Sequence, residues 1–70
     1  MFNVEGIEAK TKDLRKQADK LVDELKKLEE RRKKGEFDEN TYKEKRREIE
    51  RDIVEVMDRL AQMQFLAGQT

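Results

Sequence analysis

The sequence predicts an all-α chain folded as an antiparallel two-helix coiled-coil hairpin, a single unit over residues 1–70. Three observations carry that expectation. Apolar or small residues in the first half recur at alternating spacings of three and four. A second seam of the same kind runs through the other half. Between them, around Gly35 and Asp38, a helix-stop signal is followed at once by a helix-start signal.

Nearly half of the 70 residues (49%) are Asp, Glu, Lys or Arg, which raises disorder as the competing reading. Periodicity decides against it, because a disordered tract has no reason to repeat its apolar residues, and a Leu/Glu/Lys/Arg-rich chain with that repeat is a coiled-coil composition.

The first helix is expected over about 4–34. Val4, Thr11, Ala18 and Leu25 take position a, and Ile7, Leu14, Leu21 and Leu28 take position d. Gly6 weakens the start, so the helix begins either before it or just after it. The turn is expected at 35–38. Gly35 suits the left-handed residue that ends a helix, and Arg31, Arg32, Lys33 and Lys34 lie where the helix dipole favours positive charge. Asp38 is the expected N-cap of the next helix, with Glu39 in its first turn. Phe37 and Tyr42 occupy the positions of a hydrophobic staple.

The second helix is expected over about 39–66, with Gly68 as its stop. Tyr42, Ile49, Val56 and Met63 form one line of its seam, and Arg46, Ile53, Leu60 and Ala67 the other. A short connection makes the helices antiparallel neighbours. With the turn centred near residue 37, Leu25 faces Ile49, Leu21 faces Ile53, Ala18 faces Val56, Leu14 faces Leu60, Thr11 faces Met63 and Ile7 faces Ala67. Near the turn Leu28 faces Arg46 and Arg32 faces Tyr42. Two seams read separately fall into register with one offset, the strongest argument for the hairpin.

Chemistry is hard to find. There is no Cys and no His, which removes thiolate chemistry, disulfides and the usual general base and metal ligand. No phosphate loop, nucleophile elbow or Ser/His pair is present. Asp19 with Asp23 and Glu44 with Glu48 are one turn apart, but fall on outward positions rather than in a core. Asp38-Glu39-Asn40 reads as a cap rather than a calcium loop. No enzyme activity, cofactor, metal or small-molecule substrate is therefore expected. No apolar run spans a membrane and the N-terminus lacks a signal-peptide pattern, so the expected location is cytoplasmic. The Lys/Glu-rich, Cys-free composition also suits a thermophile.

Two surfaces remain as candidates. One is apolar: Val22, Val54, Met57 and Ala61 outside or beside the seam, with Met63, Phe65 and Leu66 toward the open end. A two-helix chain has one thin seam and no second layer, so such a face is expected to pack against another copy, giving a four-helix bundle and a homodimer, or against a larger protein. The other is basic. Lysine and arginine balance aspartate and glutamate at 17 each, yet residues 26–51 carry a net +3 while both ends are acidic. Folding gathers Arg31, Arg32, Lys33, Lys34, Lys43, Lys45, Arg46, Arg47 and Arg51 at the turn end. Such a tip would contact phosphates in a salt-dependent way, although interleaved glutamates oppose it. Nucleic-acid binding is thus the alternative to protein–protein association.

Residues 26–47, KKLEERRKKGEFDENTYKEKRR, resemble the SHOCT family of short helical-hairpin modules, with Gly35, Phe37, Asp38, Glu39, Tyr42 and Lys45 in the family's turn pattern. The resemblance covers 22 of the 70 residues, and both expected helices extend beyond the family unit. It implies an accessory or oligomerisation role without enzymatic activity. In size and architecture the chain is also similar to Rop-type hairpins, which implies dimerisation into a four-helix bundle and an ability to bind RNA.

Overall fold

The computed structural model describes residues 4–68; residues 1–3 and 69–70 lie outside it. Two α-helices, α1 (Val4–Lys33) and α2 (Glu39–Gly68), pack side by side as a hairpin about 52 Å long and 12–15 Å across. That thickness is one helix pair with nothing stacked above or below it. α1 starts ahead of Gly6, so the glycine's cost is absorbed within the first turn. α2 runs to Gly68, two residues past the expected end, and the glycine belongs to the last turn instead of stopping the helix before it.

The turn satisfies the helix ends group by group. Gly35 has φ +76°, where a side chain would be strained although nothing lies within 4 Å of an added Cβ. Its N–H donates to the carbonyl of Arg32 (2.9 Å), and the Glu36 N–H donates to that of Arg31 (3.1 Å). These two bonds make a Schellman motif. The usual apolar clasp of that motif is replaced by an Arg31–Glu36 ion pair at 3.3 Å. Asp38 then caps α2: its Oδ1 accepts from the Thr41 N–H (2.8 Å), and its carbonyl accepts from the Tyr42 N–H (3.0 Å). Phe37, at the staple position, is half-buried, with the Arg31 guanidinium 4.6 Å and the Lys45 ammonium 5.3 Å from its ring centre.

The seam is where the heptads placed it. Leu14 and Leu28 of α1 and Tyr42, Val56 and Leu60 of α2 are the buried apolar residues among those described. Leu14, Val56 and Leu60 form one cluster, with Ala18, Leu21 and Met63 packed against it. The cluster unites the predicted opposites Leu14 with Leu60 and Ala18 with Val56. At the turn end the Arg32 guanidinium lies 4.6 Å from the Tyr42 ring centre, the pair the register put face to face. Ile7, Thr11, Leu25, Ile49 and Ile53 are half-buried, as expected of a seam open to water on both flanks. Thr11 is accommodated by donating its hydroxyl to the Ile7 carbonyl at 2.8 Å.

Candidate association surface

Side chains outside the seam of α2 are unusually apolar in its C-terminal half. Val54 and Phe65 are each 67% exposed and Met57 54%, and Ala61 is exposed beside them. Helical spacing explains why they share a face. At about 100° per residue, Ala61 and Phe65 fall within about 20° of Val54, and Met57 about 60° to one side. Asp58, Ala61, Gln62, Phe65 and Leu66 line one shallow depression formed by α2 alone. Large apolar side chains grouped on one helix face make this side of α2 the candidate surface for association.

The geometry redistributes the residues that the sequence grouped together. Val22, 41% exposed, occupies an e position of α1, on the flank it shares with Met57. Val54, Ala61 and Phe65 turn farther from the seam, onto the outward side of α2. Met63 is half-buried and packs on the hairpin's own Leu14–Val56–Leu60 cluster. Leu66 is half-buried at the opposite edge of α2. The apolar surface is therefore a stripe on one helix, with Val22 as an outlier on the other.

At the turn end Arg31, Arg32 and Arg46 are engaged with acidic side chains. Arg32 sends Nη2 and Nε to one oxygen of Glu39 (3.0 and 3.1 Å) and Nη1 to Glu29 (3.3 Å). Glu29 also accepts from the Tyr42 hydroxyl. The result is a polar clip across the turn, with Glu29 and Arg32 on α1 and Glu39 and Tyr42 on α2. The Tyr42 bond, reinforced by Arg32, holds the Glu29 carboxyl below its ordinary pKa. The same bond pushes the Tyr42 hydroxyl up. The bonds and charge of Glu39 raise Arg32, and those of Glu50 raise Arg46. Asp38 is held down by Thr41, through its side chain and then its backbone N–H. Arg46 pairs with Glu50 one turn on. Lys33, Lys34, Lys43 and Arg47 remain exposed. Sequence reasoning saw Arg32 opposite Tyr42 but missed Glu29. Its signal was there: an acid one turn before Arg32, on the edge of the seam where Tyr42 enters.

The outward carboxylates are exposed, and Asp23 pairs with Lys27 at 3.2 Å. Among the described residues, no group of three or more Asp or Glu gathers as a metal site. No described helix is long and apolar enough to cross a membrane. Comparison of the chain with protein-family models, curated proteins and solved structures gives no match.

Proposed function

We propose that this chain is a non-enzymatic protein–protein interaction module: a hairpin that associates with a second copy of itself, as a homodimer with four helices, through the apolar side of α2. The carrying observation is the exposure of Val54, Met57 and Phe65 on a helix whose other face already forms the hairpin core. A single seam with five buried apolar residues among those described is a small core for a chain of this length. Covering the stripe adds the second layer that four-helix bundles have. The SHOCT-like turn at residues 26–47 supports the same role.

The alternative, nucleic-acid binding through the tip, draws less support. A phosphate would have to displace Glu29, Glu36, Glu39 or Glu50 to reach Arg31, Arg32 or Arg46, which leaves mainly Lys33, Lys34, Lys43 and Arg47 to meet it. Light scattering on the purified chain tests the proposal. The expected mass is twice the 8.4 kDa of one chain, falling to 8.4 kDa for Val54→Glu with Met57→Glu. A cooperatively folded monomer whose stability is indifferent to both substitutions refutes self-association.

A further inference from the structure

Resting on self-association as proposed above, the geometry points to its topology: we infer that the second copy lies antiparallel along the outward face of α2, with the two-fold axis passing close to Ala61. The two α2 helices then form the inner pair and the two α1 helices lie outside.

The position of the stripe fixes the axis. A two-fold interface is isologous, so residue i meets j and j meets i. The exposed apolar residues run from Val54 to Phe65, with Met57 and Ala61 between them. An antiparallel pair sets the two largest outward-facing apolar residues, Val54 and Phe65, against each other when the axis crosses between Asp58 and Ala61, with Met57 then level with Gln62 of the other copy. Val54 then meets the other copy's Phe65 at both ends of the contact, and the small Ala61 sits near the closest approach of the helices.

Charge selects antiparallel over parallel. The same outward face continues toward the turn through Lys43, Arg47 and Arg51, with Glu50 beside them. Parallel packing sets each of these cations against its own copy, a cost that like charges impose along a helix contact. Antiparallel packing about Ala61 sends the two basic tips to opposite ends. It also brings Arg51 beside the last turn of the other α2. That last turn contains no basic residue, whereas α1 ends on Arg31, Arg32 and Lys33. A cation supplied by the second copy complements the negative end of the α2 dipole.

Val22 separates this arrangement from a bundle closed over the Val22–Met57 flank. On the outward face of α2 the second copy leaves Val22 outside the contact.

The test is a pulsed-EPR distance on a chain labelled at a single Lys43→Cys, possible because the described chain has no cysteine of its own. Lys43 is exposed and distant from the contact. At about 1.5 Å per residue, two labels related by an axis near Ala61 lie about 50 Å apart, against less than about 25 Å in a parallel pair. Light scattering and helical circular dichroism accompany every sample. A dimer at about 50 Å is the expected result. A dimer below about 25 Å overturns the antiparallel topology and leaves self-association standing, whereas a folded monomer overturns both. Affinities locate the face: Val54→Glu weakens the dimer at least about 100-fold by placing an unpaired charge in the contact. Arg51→Glu weakens it about 5-fold, and Val22→Glu less than about 2-fold. Val22→Glu weakening the dimer as much as Val54→Glu overturns the assignment to the outward face.

Discussion

Replacing Leu14 by Ala removes the side chain with the least exposure in the seam, 0%, from the cluster it makes with Val56 and Leu60. The lost transfer energy of its terminal carbons is about 2 kcal/mol. A residual cavity adds to it, but the seam is only one side chain deep and Met63 is an adaptable neighbour, so collapse is easy and the total is about 3 kcal/mol. For a chain of this size that lowers Tm by roughly 12–24 °C. Leu21, half-buried against the same cluster, serves as the internal control, with an expected loss of about 1.5 kcal/mol for Leu21→Ala. Urea denaturation followed by circular dichroism, at one fixed chain concentration, measures both. Equal losses, or a larger one at Leu21, refute the placement of the core at the Leu14–Leu60 level.

Gly35→Ala should cost about 1 kcal/mol, all of it from the left-handed φ since space is open around the Cβ, and Gly35→Asn should cost less; thermal melts of the three chains check the order. Stability against pH should show a plateau that falls at both ends. Glu29 and Asp38 have lowered pKa values in the fold, so their stabilisation is present above their ordinary values of 4.5 and 3.8 and is lost as pH falls through the lowered ones. Tyr42 is raised above its ordinary 10.0, so its contribution holds below that pH and is lost as pH climbs through the raised value. Tyr42→Phe should abolish the alkaline decline and soften the acidic one, as read by denaturation midpoints from pH 2 to 11. Asp38→Ala should destabilise α2 by leaving the Thr41 N–H without its acceptor, and Asp38→Ser should recover most of the loss; helicity measured by circular dichroism separates the two.

The backbone of this account was legible because the heptad pattern, the glycine stop and the aspartate cap are local signals that agree with one another. Gly35, Asp38, Leu14 and Leu60 could each be placed from spacing alone. The end of α2 could not, because Gly68 can extend a helix as well as stop one. The clip through Glu29 was hidden for another reason. A side-chain bond between positions 29 and 42 depends on the angle at which Tyr42 enters the seam, and spacing leaves that angle undetermined. The candidate apolar surface residues were visible as a set, but their division mattered more. Met63 turned inward to the core, Val22 stayed on the flank, and Val54, Ala61 and Phe65 lined up outward.

The central claim is that the exposed side of α2 is completed by a second copy and that folding is coupled to that contact. Thermal unfolding over a thousandfold range of chain concentration measures the coupling directly. Mass action requires Tm to rise steadily with concentration if the dimer is the stable species. The same Tm at every concentration, with full helicity retained below it, would mean that the hairpin stands alone and would contradict the account.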